Sequence, residues 1–97
     1  MLADRQLQPK FQLGSIVATH SALHAIEKSG QSPSDFLCRH VRGDWGQLCD
    51  EDKQLNDQAL IDGDRLLSAY RTLKNARIWI ITEADRSATT LLLPEEY

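Results

Sequence analysis

The sequence predicts a single α+β domain: about three helices packed on one face of a small, mainly antiparallel β-sheet. Three observations predict it. The chain has 97 residues, 41% of them hydrophobic, which suits one core between two layers of structure. The first half carries apolar residues at helical spacing, punctuated by cap residues and glycines. The second half changes to β-branched and aromatic runs separated by short polar connections. The expected order is β-α-α-α-β-β-β over residues 11–97, after a polar, patternless and flexible segment over residues 1–10.

Phe11–Thr19, FQLGSIVAT, is rich in strand formers, with Gly14 marking a bulge or turn. HSALHAIEKSG follows as a short helix, with Ala22, Leu23 and Ile26 on one face, Lys28 in the last turn and Gly30 as the stop. SPSDFLCRHVRG carries the clearest helix signal. Ser32 fits the N-cap, Pro33 the first helical position, and Asp35 lies near the exposed amides. Phe36, Leu37, His40 and Val41 then share a face, and Gly43 ends the helix. After the turn Gly43-Asp44-Trp45-Gly46 comes DEDKQLNDQALIDG. Its acids favour a helix N-terminus, Leu55, Ala59 and Leu60 form a thin apolar stripe, and Gly63 closes it.

RLLSAYRT, ARIWIIT and ATTLLL read as three strands, connected by LKN and EADRS. Ile78, Trp79, Ile80 and Ile81 are apolar on both faces, which suits a central strand. Polar residues along these runs (Ser68, Tyr70, Thr82, Thr89 and Thr90 among them) read as the water-facing side of a half-exposed sheet. Pro94 stops the last strand. The acidic end Glu95-Glu96-Tyr97 is either a tail for a partner to grip or a frayed terminus. The chain shows no internal repeat and no low-complexity segment.

Lys and Arg number 11 against 14 Asp and Glu, a formal charge of −3. That argues against non-specific nucleic-acid binding, which needs a clustered positive surface. No apolar run approaches the roughly 20 residues of a membrane span. The start, MLADRQLQPKF, lacks the apolar stretch and cleavage site of a secretory signal. A cytoplasmic protein is expected, with Cys38 and Cys49 as reduced, core-filling thiols. No cofactor motif appears.

The combination GDWG (Gly43–Gly46), Glu51-Asp52, Asn56, RLLSAY (Arg65–Tyr70) and IWIITEADRSATTLLLPEEY (Ile78–Tyr97) resembles a family of small bacterial proteins carried on plasmids and other mobile elements. The resemblance covers nearly the whole chain from Phe11. It implies a bacterial origin and an association with mobile DNA, and it implies no activity. Where that family tends to read TPGAL this chain reads THSAL, Thr19–Leu23, which sets His20 outside any site the family shares.

Several constellations could carry function. The leading one is a protein-binding face. The glycines free the turn, Trp45 is a rigid, partly exposed aromatic anchor, and Asp44, Asp50, Glu51 and Asp52 steer a basic partner; the structural alternative is that the turn swings Trp45 back onto the edge of the core. Asp44 to Asp64 holds seven carboxylates with only Lys53 as countercharge, so the run could also imitate a row of phosphates and occupy a DNA-binding protein. A metal-independent ribonuclease is the enzymatic alternative, with His40 and Glu83 as base and acid and Arg65 and Arg86 as donors to the phosphorane; against it, His40 falls on the apolar helix face, where a satisfied core histidine is the commoner outcome. Small helix-plus-sheet ribonuclease toxins share this element order, an analogy of fold alone. His20 and His24, four apart, could face one metal, but no third ligand is evident and HSALH lacks the glutamate of a zinc-protease helix, so no metal site is expected. Cys38, His40 and Cys49 match no zinc spacing. Arg42-Gly43-Asp44 without an export signal is no adhesion motif. The strand within Phe11–Thr19, if it lies at a sheet edge, could pair with a second copy to give a homodimer.

Overall fold

A computed structural model of the chain describes residues 9–97. The expectation of a flexible residue 1–10 segment lies mostly outside the described residues. Lys10, inside them, is tied to the fold by an N–H that donates to the Val41 carbonyl at 2.8 Å.

The observed order is β1 (Ser15–Ala18), α1 (His20–Lys28), α2 (Pro33–Val41), α3 (Asp50–Asp62), β2 (Leu66–Arg71), β3 (Arg77–Thr82), β4 (Ala88–Leu92) and a one-turn 3₁₀ helix (Pro94–Glu96). Local signals account for most boundaries. Thr19 caps α1 by accepting from the Ala22 N–H at 3.1 Å. Asp35 reaches back to the Ser32 N–H at 2.9 Å, half of a capping box. Gly63, at φ +76°, ends α3 in the left-handed conformation that glycine adopts without steric cost.

The four strands form one sheet in the order β1-β4-β3-β2. β2 pairs antiparallel with β3, and β3 with β4. β1 pairs parallel with β4. The apolar run Ile78–Ile81 lies on β3, which is flanked by β4 and β2 as expected of a central strand.

All three helices pack on the same face. Ala22 and Ile26 of α1 and Phe36 and Leu37 of α2 meet Tyr70, Ile78, Ile80 and Leu91 in one cluster. Trp45, Ala59 and Leu66 form a second cluster beneath α3, with Phe11, Leu48 and Leu60 at its margin. The opposite face carries Leu67, Trp79, Ile81 and Leu92, and the Tyr97 ring meets Trp79 edge-on at 5.7 Å.

Three local expectations are corrected. Leu55 is 64% exposed, and Asn56 takes the inward position on α3 instead. The reason is tertiary: the Asn56 amide is needed at the edge of β2, and turning that residue inward rotates Leu55 out. Cys38 and Cys49 are exposed rather than core-filling. Cys38 lies off the α2 face that buries Phe36, Leu37 and His40, and Cys49 is the N-cap of α3. Ser68, Thr82 and Thr89 are fully buried, not water-facing. They alternate with Leu66, Tyr70, Ile80 and Leu91 on the helix-covered side.

Candidate functional site

The GDWG turn joins α2 to α3 and closes onto β2. Asp44 accepts from the Arg39 Nε at 2.8 Å and from the Gly46 N–H at 3.1 Å. The Arg39 hydrogen bond, opposed by partial burial and assisted by the Gly46 amide, holds the Asp44 carboxyl below its usual range. The Tyr70 hydroxyl donates to the Asp44 carbonyl at 2.5 Å, and burial raises its own pKa. Arg39 stacks over the Tyr70 ring at 4.5 Å.

Trp45 is 3% exposed. Its indole lies 6.3 Å from the Phe11 ring, stacked, and 5.8 Å from the His40 ring, edge-on. The Nε1–H donates to Asp57 of α3 at 2.9 Å. The partly exposed anchor expected at Trp45 is therefore corrected. The turn swings the indole under α3, where burying so large a ring stabilises by about 4 kcal/mol.

The same turn covers the outer edge of β2. The Ala69 N–H donates to the Trp45 carbonyl at 3.1 Å, and the Gln47 N–H donates to the Ala69 carbonyl at 2.7 Å. At Leu67 the Asn56 side chain does the same work: its Nδ2 donates to the Leu67 carbonyl at 2.5 Å, and its Oδ1 accepts from the Leu67 N–H at 3.2 Å. Gly46 has to be glycine here. Its φ is +76°, and a Cβ would run into the Ala69 carbonyl oxygen and the Tyr70 ring.

α3 is thus held at its middle by Asn56 and Asp57. Its C-terminal end is held by Arg86, whose Nη2 donates to the Ala59 carbonyl at 3.4 Å and whose Nη1 donates to the Asp64 carbonyl at 2.6 Å. On the outward side, Asp50, Glu51 and Asp52 occupy the first turn, where the exposed amides favour negative charge. All three are exposed, and among the described residues none of them has a hydrogen-bond or ion-pair partner. Leu55 and Ile61, 64% and 79% exposed, lie on the same helix.

The four residues of the ribonuclease reading are placed differently from a catalytic cleft. Arg65 and Glu83 face each other at the surface, 3.7 Å apart, and Arg65 also donates to the Tyr97 hydroxyl at 3.0 Å. Arg86 is spent on backbone carbonyls, with its guanidinium 5.7 Å from the Phe11 ring. His40 has no solvent exposure.

Both ring nitrogens of His40 are engaged, and the chain of bonds fixes their roles. Thr89 Oγ1 donates to the Leu13 carbonyl at 2.7 Å. It must then accept from Thr82 Oγ1, 2.8 Å away. Thr82 in turn accepts from the His40 Nε2–H at 2.8 Å. That leaves Nδ1 as the acceptor for the Ser68 hydroxyl at 2.5 Å. The ring is a neutral Nε2–H tautomer. Burial, and secondly the charge of Arg86, push its pKa down to about 4. A solvent-inaccessible imidazole has no route to a ribose hydroxyl, so His40 as catalytic base is corrected to a structural hydrogen-bonding hub.

His20 and His24 are exposed and line a groove of about 730 Å³ with Ser21, Ala25, Lys28, Lys74, Ala76 and Leu93. Among the described residues no three His, Cys, Asp or Glu side chains come together as a metal would require. No helix of the described residues is long and apolar enough to cross a membrane.

Comparison with family models, curated proteins and solved structures finds no match.

Sequence reasoning missed Asn56 and Ser68 as organising residues. A signal existed for Ser68: strand period two places it on one face with Leu66 and Tyr70. For Asn56 the only local signal was a polar residue next to the apolar stripe it displaces.

Proposed function

We propose that this protein is a non-enzymatic, protein-binding accessory of a bacterial mobile element. It presents the acidic first turn of α3 to a basic surface of its partner. One observation carries the reading: Asp50, Glu51 and Asp52 stand exposed and unpaired, among the described residues, on a helix that the rest of the fold holds rigidly. Preorganised charge of this kind speeds encounter and sets specificity. Trp45 serves indirectly, by fixing the helix through Asp57. Residue types that could do catalysis, His40 and Arg86, are consumed by internal hydrogen bonds, which favours binding over chemistry. The mobile-element context rests on the sequence resemblance.

The test is capture of partners from bacterial lysate by the tagged protein, beside a variant with Asp50→Lys, Glu51→Lys and Asp52→Lys. A protein retained by the parent and lost from the variant, and released by salt, is the expected outcome. Equal recovery on both would refute the reading. Release of the captured protein by duplex DNA would identify the acidic face as a phosphate mimic.

A further inference from the structure

The two edges of the sheet are treated differently by the chain. The outer edge of β2 is covered by residues 45–47 and by the Asn56 amide. The outer edge of β1 has no such cover among the described residues. The Ser15 N–H donates to the Ser87 carbonyl at 2.9 Å and the Thr19 N–H to the Leu91 carbonyl at 3.0 Å. In a parallel ladder the backbone groups of alternate residues point the same way. Ser15, Val17 and Thr19 therefore face β4, and the N–H and C=O of Ile16 and Ala18 point outward. Ile16 and Val17 are 53% and 50% exposed.

From this geometry we infer that β1 pairs with β1 of a second copy, antiparallel, about a two-fold axis through Val17. The outward groups of Ile16 and Ala18 lie symmetrically on either side of Val17. Ile16 of each copy then exchanges both hydrogen bonds with Ala18 of the other, and all outward groups of both strands are satisfied. Val17 meets Val17 on the open face, in the close spacing of a non-hydrogen-bonded pair. Ile16 meets Ala18 on the helix-covered side. The two four-stranded sheets become one continuous sheet, with the helices of both copies on the same face.

Charge favours a second copy over a foreign strand. From Phe11 to Ile26 the chain carries no Asp, Glu, Lys or Arg, although 26% of its residues are charged. About this axis Val17 faces its own equivalent and the flanking residues face uncharged partners, so the pairing brings no like charges together. β1 also lacks the lysines, prolines and bulges that keep solitary edges apart.

Sedimentation across a hundredfold concentration range reaching about 0.5 mM tests this. The wild-type chain is expected to reach twice the monomer mass. Val17→Lys and Val17→Glu each set like charges against each other and should weaken association by roughly a hundredfold or more. Mixing the two variants should restore a dimer, because Lys then faces Glu across the axis. Ile16→Pro removes an N–H that no bond within the monomer uses, and should abolish the dimer while leaving the circular dichroism of the fold unchanged. A wild-type chain that stays monomeric overturns the inference. So does a dimer indifferent to these substitutions, or a Lys-plus-Glu mixture that fails to associate.

Discussion

The buried His40 predicts a specific loss of stability in mild acid. In the unfolded chain its pKa is about 6.5; in the fold it falls to about 4. Above the unfolded value both states are neutral and the ring contributes no pH dependence. Between the two values the unfolded chain takes up a proton that the folded chain refuses, so stability falls with falling pH. Protonation would also need Ser68 to turn from donor to acceptor at Nδ1 and find a new acceptor for its own proton. The full gap corresponds to about 3 kcal/mol, of which about 2 kcal/mol is already lost by pH 5. That is a sizeable part of the roughly 5–15 kcal/mol a domain has in total.

The comparison is with His40→Gln, whose amide can donate to Thr82 and accept from Ser68 but does not titrate. His20 and His24 are common to both chains and cancel. Asp44 is also common to both. Its lowered pKa gives stability that is present above the unfolded carboxyl value and lost as pH falls further, through the folded one. Urea unfolding from pH 7.5 to 4.5 measures the difference. The wild-type curve should fall below that of His40→Gln by about 2 kcal/mol more at pH 5 than at pH 7.5, on the order of 10 °C in thermal midpoint. Parallel pH curves for the two chains would refute the neutral, buried imidazole and the hydrogen-bond chain built on it.

Two further outcomes follow from the turn and the helix it feeds. Gly46→Ala should cost about 3 kcal/mol or more, since it adds a clash with the Ala69 backbone to the positive φ; Gly30→Ala, at similar φ but with open space around the Cβ, should cost only about 1 kcal/mol. Thermal melts of the pair separate the clash from the dihedral, and equal losses would mean that β2 is not approached so closely. Cys49→Ser should stabilise the fold by about 0.5–1 kcal/mol, because the N-cap of α3 makes no side-chain hydrogen bond as it stands; no gain in the urea midpoint would show that the α3 amides are already satisfied.

What the sequence made legible is local. Ser32 with Pro33, Gly30 and Gly63 bound the helices because capping chemistry acts within a few residues. The β-branched runs located three strands for the same reason. What it concealed is set by partners far along the chain. The apolar stripe on α3 was read through Leu55, whereas the inward residue is Asn56, which faces Leu67 of a strand eleven residues on. Nothing near Asn56 announces that β2 will have an outer edge in need of a donor and an acceptor. His40 was legible as a residue on an apolar helix face, but its partners Ser68 and Thr82 stand 28 and 42 positions away. Read alone, those hydroxyls looked like a solvated strand face. The glycines around Trp45 were legible as a turn, and only the packed structure distinguishes an indole under α3 from one held out to a partner.

The polar core and the uneven edges solve one problem, the choice of register. A buried chain of hydroxyls and imidazole is at best slightly better than apolar packing in free energy. Its distinctive property is that it can be satisfied in only one alignment. Slipping β3 by one residue against β2 or β4 would carry Thr82 to the other face and leave the His40 Nε2–H without its acceptor and Thr89 without the donor it accepts from, at a cost of several kcal/mol. The chain Ser68–His40–Thr82–Thr89–Leu13 ties α2, β2, β3, β4 and the segment before β1 to one arrangement. With register settled from inside, the edges are free to differ: β2 is closed by the Trp45 turn and Asn56, whereas β1 needs only its pairing to β4 to be held in place. An apolar replacement of the whole network, with Ser68→Ala, His40→Leu, Thr82→Val and Thr89→Val together, should accordingly keep the fold compact while broadening the amide resonances of β3 and β4.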